Sequence, residues 1–286
     1  MSQDLRQLDR AEYPAGMLEI PQPPKQLWIR GTLPAPGTKY LTVVGSRALT
    51  RYGGDACHAL IGGLRGYPVA IVSGLALGTD AGAHRAALAA GLPVVAFPGS
   101  GISDTAIAPK TNLGLARDIL KAGGALMSEY GADGEAATWT FPQRNRLMVA
   151  IADAVLMIEA GEKSGTLITA RLSGEYNKEL LCIPHRIGDA NGYGSQVFLR
   201  LGATMVTESA HILEALGIPL KTSEERRDSY QLEGAEKILY DLLATPTPRD
   251  ALIRQSALSS GEALTALVTL ELKGLAKEEY GAWRRV

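Results

Sequence analysis

The chain has 286 residues, long enough for one substantial α/β core and a small second domain. Its 29 basic and 30 acidic residues leave a formal charge of −1, so bulk charge neither demands nor forbids a polyanionic partner. No apolar run approaches the roughly eighteen residues of a membrane span, the charged start MSQDLRQLDR lacks a signal-peptide core, and Cys57 and Cys182 stand in apolar surroundings without ligand spacing. These features predict a cytoplasmic protein with reduced thiols, no membrane contact, no metal site and no cofactor.

In chain order, residues 1–40 are rich in proline and poor in periodicity, which predicts an extended lead-in packed on the core, with residues 27–30 as an edge strand. Residues 41–44 and 69–72 are β-branched runs that stop abruptly in the small-residue turns Gly45-Ser46 and Ser73-Gly74. Buried parallel strands that empty into a ligand crevice have this pattern. A crossover helix over 52–64 makes them one βαβ unit, and 81–90 is a further helix. Further strands are expected at 92–97, 125–128, 154–158, 180–183 and 204–206, with helices at 112–121, 147–152, 164–177, 196–201 and 210–216. Repeated βα units with polar turns at one edge predict a Rossmann-like, doubly wound and mostly parallel α/β sheet over residues 41–216.

Residues 217–232, polar and interrupted by proline, read as a linker. Beyond it, three short helical patterns and a terminal hairpin over 233–286 spell a winged helix. Its third helix, 261–272, holds Glu262 and Glu271 but neither Arg nor Lys. That argues against major-groove reading and for a protein-contact or weak phosphate-contact module.

The candidate chemistry lies in the turns. Neither Gly45-Ser46-Arg47 nor Ser73-Gly74 with Gly78 matches GxGxxG or the P-loop pattern, so generic phosphate binding and plain turn geometry both remain open. The densest basic stretch is WTFPQRNRL, read as a loop, where Arg144 and Arg146 flank Asn145 as a fork suited to phosphate. Ser164-Gly165-Thr166 opens a third hydroxyl-and-glycine turn at the same edge. Adding Arg51, His84, Arg85, Lys110, Lys163 and Arg171 gives a basic trail longer than one nucleotide needs, although Arg85 and Arg171 are equally explained as solvated helix positions. Asp80, Glu129 and Glu159 are edge carboxylates, but no nucleophilic triad and no metal cluster accompanies them, so no catalytic residue is assigned.

The stretches VVGSR with RYG, SGLALGTDAGAH, SEYG, FPQRNRLM, EAGEKSGTLITARLS and IPH…GYGSQVFLRLGA, in this order and followed by the terminal module, resemble the DNA-processing protein A family, also called Smf. The resemblance runs from about residue 14 nearly to the end. It implies a non-enzymatic Rossmann-like protein that binds single-stranded DNA, protects it during natural transformation, helps load the RecA recombinase and forms a homodimer. Carried over by motif, Gly45, Ser46 and Arg47 would be the first phosphate-contacting turn, and Ser73, Gly74, Gly78 and Asp80 the second. Arg144, Asn145 and Arg146 would form the central clamp, with Ser164, Gly165 and Thr166 completing the pocket. Two local departures are Ala108-Pro109, where Tyr-Pro is usual, and His185-Arg186 after Pro184, where the extra basic residues would add a DNA contact or reshape the loop. The alternative within the same superfamily is a nucleotide-processing enzyme or sensor, with Glu129 or Glu159 as base. Its PGGxGTxxE signature is missing around Ser164-Gly165-Thr166.

Overall fold

The computed structural model describes residues 5–221 and 232–285, so most of the linker expected at 217–232 lies outside the described residues. Two compact units are present, Met1–Ile218 and Pro219–Val286. The first is built on β1 (Leu5–Gln7), β2 (Trp28–Gly31), β3 (Lys39–Val44), β4 (Val69–Ser73), β5 (Val94–Ala96), β6 (Ala125–Ser128), β7 (Ala154–Met157), β8 (Glu179–Cys182) and β9 (Thr204–Met205). They form one sheet in the order β1-β2-β6-β5-β4-β3-β7-β8-β9. From β3 onward every pairing is parallel, and β1 and β2 add antiparallel to one side. The stretch expected as an edge strand is therefore covered: Leu5, Arg6 and Gln7 pair with Arg30, Ile29 and Trp28 and take the edge themselves.

Both faces of the sheet are buried, which is why its strands read as continuous apolar runs rather than alternating ones. Leu41, Val43 and Ile71 face one layer with α2 (Arg51–Gly62), α3 (Thr79–Ala89), α4 (Leu113–Lys121) and α8 (Ser209–Ala215). Val44, Val72, Val155 and Met157 face the other, with α1 (Gly16–Glu19), α5 (Thr140–Ile151), α6 (Thr166–Glu175) and α7 (Tyr193–Arg200). Thr42, the polar residue within β3, is tolerated because its hydroxyl donates to Met148 O at 2.7 Å.

One expected loop is a helix. Residues 138–146 read as loop, yet α5 begins at Thr140 and runs unbroken through FPQRNRLMVAI. Proline is third in the helix, where the backbone N–H would have no intrahelical partner in any case, so the residue that signals a break sits where it costs no hydrogen bond.

The second unit holds α9 (Gly234–Leu242), β10 (Thr247–Pro248), α10 (Arg249–Ser256), α11 (Ser260–Leu272), β11 (Ala276–Glu279) and β12 (Ala282–Arg285). The sheet order β10-β12-β11 gives the wing of a winged helix. Leu239, Tyr240, Leu252, Leu267, Leu270 and Trp283 make its own core. Ser259 and Glu262 cap α11 reciprocally, the Glu262 N–H reaching Ser259 Oγ at 3.3 Å and the Ser259 N–H reaching Glu262 Oε2 at 3.0 Å.

Candidate nucleic-acid interface

The chain leaves β3 through α2 toward β4 on one side, while β7 pairs with β3 on the other. Strand order thus reverses at β3 and β7, and a crevice outside their carboxyl ends is where open α/β sheets place ligands. A cleft of about 630 Å³ occupies that position. Gly45, Ser46 and Arg47 line it after β3, Asp80 at the start of α3, and Phe141, Arg144 and Asn145 from α5. Lys163, Ser164, Gly165 and Thr166 close it where β7 gives way to α6. The N-terminal end of α6, the positive end of its dipole, therefore borders the cleft.

Short contacts fix the walls. Ser46 O accepts from Thr79 N at 3.0 Å and from Thr79 Oγ1 at 3.1 Å, tying the turn after β3 to the first turn of α3. Gly78 makes this approach possible: its φ is +72°, and a Cβ there would lie 2.3 Å from Ser46 O and 2.4 Å from Arg47 O. On the other wall, Ser164 Oγ accepts from Thr166 N at 3.2 Å, and Asn145 Nδ2 donates to Thr169 Oγ1 at 2.9 Å, joining α5 to α6. Beneath the first turn, buried Glu159 accepts from Thr50 N at 3.0 Å and from the Thr50 hydroxyl, whose oxygen accepts from Gly53 N at 3.1 Å to cap α2.

The charge of the cleft is layered. Exposed Arg47 and Lys163 stand at its lining, and the Arg47 guanidinium lies 5.0 Å from the Phe141 ring centroid. Below them Arg144 is 4% exposed and donates through Nη1 to Gly74 O and through Nε to Asn145 Oδ1 at 3.1 Å. Burial pulls the Arg144 pKa down to about 10, against the opposing pull of Asp80. Burial likewise pushes the Asp80 carboxyl up, against the field of Arg144. Deeper still, burial and then Arg144 pull His84 down to about 3, keeping the imidazole neutral. The floor is a compensated ion arrangement, and the outward positive charge comes from Arg47 and Lys163.

The expected residues divide accordingly. Gly45, Ser46, Arg47, Arg144, Asn145, Ser164, Gly165 and Thr166 are brought together in the cleft. Gly74 lies under them, with no room for a Cβ against the Arg144 guanidinium, and Ser73 is buried, donating to Val43 O at 2.7 Å. Arg146 lies elsewhere: residues two apart on a helix point about 200° from each other, and Arg146 pairs with Glu129 in a separate basin. Arg51 faces Asp55 at 3.7 Å, Lys110 donates to Thr105 O, and exposed Arg171 is not among the cleft residues. His185 is also held inward. Its Nε2 meets Ile158 O at 2.9 Å, its Nδ1 lies 3.3 Å from Asp189, and Tyr52 packs edge-on at 5.3 Å. Sequence reasoning left Asn191 out. It lines the cleft from the loop after β8 and approaches Ala48 O at 3.5 Å, and an isolated Asn in a glycine-rich loop carries no periodic signal.

Among the described residues no group of His, Cys, Asp and Glu could hold a metal ion, and no helix is long and apolar enough to cross a membrane. The family model for DNA recombination-mediator protein A matches residues 5–217, and that of the DprA winged helix domain matches residues 223–282. Protein Smf of Escherichia coli (strain K12) is 33% identical over 286 aligned positions, covering 97% of this chain and 76% of that protein. DNA processing protein DprA of Streptococcus pneumoniae (strain ATCC BAA-255 / R6) is 34% identical over 201, covering 70% of each. The X-ray structure of DprA from Streptococcus pneumoniae superposes with a TM-score of 0.69 at 31% identity, covering 77% of this chain and 76% of that one. A structure describing single-stranded DNA binding by DNA processing protein A of Helicobacter pylori gives 0.65 at 27% identity, covering 74% and 95%. With family models matched across both units and relatives this similar over most of its length, the chain belongs to the DNA recombination-mediator protein A family, DprA/Smf.

Proposed function

We propose that the cleft binds the sugar–phosphate backbone of single-stranded DNA, and that the protein protects such strands in natural transformation and recombination. The observation that carries this reading is the cleft itself: two small-residue turns and a helix N-terminus meet at a sheet switch point, with exposed Arg47 and Lys163 above a charge-compensated floor. The strand binding described for the Helicobacter pylori relative supports it. Such donors recognise phosphate rather than base edges, so binding is sequence-tolerant and salt-dependent.

The enzymatic alternative lacks a base in the cleft. Glu159 is engaged by Thr50 and Glu129 by Arg146, while Asp80, the carboxylate among the lining residues, is buried beside Arg144. Replacing Arg47 and Lys163 together by Ala is the direct test. Loss of most single-strand affinity with a shallower salt slope is expected, and unchanged affinity overturns the assignment. Homodimerisation and RecA loading belong to the same proposal. Sedimentation equilibrium tests the first, and RecA assembly rates on a single strand with and without the protein test the second.

A further inference from the structure

A second concavity, of about 950 Å³, lies on the other face of α5. Residues 139, 143 and 146 fall on one stripe of that helix and line it, facing Lys25 and Arg10 of the N-terminal segment and Glu129 after β6. Its floor is unusual. Arg146 is 8% exposed, and although its Nη2 donates to Glu129 Oε2, its Nε and Nη1 have no hydrogen-bond partner, while the Tyr130 hydroxyl lies against the Glu129 carboxylate. Buried groups of this kind are normally satisfied. Here two unused donors sit beside an accepting carboxylate on a pair whose charges cancel. At the rim, Trp139 is 61% exposed and held edge-on by Tyr130, ring centroids 5.9 Å apart at 83°, with the Tyr130 hydroxyl fixed on Thr140 O at 3.0 Å.

A bare phosphate suits this floor poorly, because Glu129 would oppose it. A nucleobase suits it well: each base carries an N–H donor next to an acceptor on its Watson–Crick edge, and each has a face for an indole to stack on. We propose that this basin is a nucleotide subsite, in which an unpaired base of the strand stacks on Trp139 and turns its edge to the Arg146–Glu129 pair, its phosphate facing Lys25 and Arg10. The subsite rests on the reading of the cleft as a single-strand site, and it extends the bound strand across α5. A base-paired nucleotide has no free edge to offer, so the basin adds discrimination against duplex.

The test compares an oligothymidylate with an abasic oligonucleotide of the same length, binding to the full chain, to Trp139→Ala, to Trp139→Phe and to Arg47→Ala. Trp139→Ala is expected to weaken oligothymidylate binding about tenfold and to leave the abasic strand unaffected, with Trp139→Phe recovering part of the loss. Arg47→Ala is expected to weaken both strands. Unchanged oligothymidylate affinity in Trp139→Ala overturns the subsite while Arg47→Ala still reports on the cleft. Equal losses for both strands in Trp139→Ala also overturn it. If Arg47→Ala changes neither strand, the cleft reading falls and the subsite falls with it.

Discussion

At the scale of single residues, the arginines are not equivalent, although the sequence presents them alike. Exposed Arg47 can meet a phosphate while still resting on the Phe141 ring, so Arg47→Ala should flatten the logarithmic salt dependence of single-strand binding by about 0.7 while leaving the melting temperature nearly unchanged. Arg144 is the opposite case. Its removal strands buried Asp80 and frees Gly74 O, so Arg144→Ala should cost about 3–5 kcal/mol and lower the melting temperature by roughly ten degrees in calorimetry. The FPQRNR stretch announced a functional segment, but its division into one buried brace and one arginine on the far helix face depends on α5 beginning at Thr140, inside the stretch that reads as loop. His84 makes acid sensitivity visible. Its pKa is near 3 when folded and near the ordinary histidine value when unfolded, so the unfolded chain binds the extra proton between those limits. Stability is therefore fully present above the unfolded value and lost as pH falls, at up to roughly 1.4 kcal/mol per pH unit. Denaturant titrations from pH 7 to 4 should show His84→Gln with a distinctly shallower decline than the parent.

At the scale of elements, the turn after β3 and the start of α3 act as one piece. Gly78→Ala forces a Cβ onto Ser46 O and Arg47 O and must separate them, so both stability, by at least about 1 kcal/mol, and single-strand affinity should fall. Gly54→Ala is the contrast: inside α2, its added methyl meets only Leu49 at 3.8 Å, and the variant should gain up to about 1 kcal/mol without altering binding. Thermal melts paired with titrations separate the two behaviours. The βα units were legible because both faces of the central sheet are buried and its strands β3 to β7 are nearly unbroken apolar sequence from residue 41 onward. What stayed hidden was non-local. Nothing near Leu5 signals that residues 5–7 cover β2, since a three-residue edge strand has no period of its own. Nothing near Glu129 signals Arg146 either, because the two are 17 residues apart and meet only through the tertiary placement of α5.

At the scale of the whole molecule, each unit has its own core, and the charge of the two differs in kind. The cleft exposes Arg47 and Lys163, whereas α11 carries no basic residue and presents Leu264, Val268 and Leu272 to solvent. A polypeptide ending at residue 218 should therefore keep most single-strand affinity, and one covering 219–286 should bind neither strand nor duplex appreciably. On this reading the cleft recognises an unpaired sugar–phosphate backbone. The most direct test is a salt series of equilibrium binding to single-stranded and double-stranded DNA of equal length, run on the full chain and on the Arg47→Ala, Lys163→Ala double variant. Tighter single-strand binding is expected, with a steep salt slope that the double variant flattens. Equal affinity for both forms, or a slope unchanged by the double variant, would contradict it.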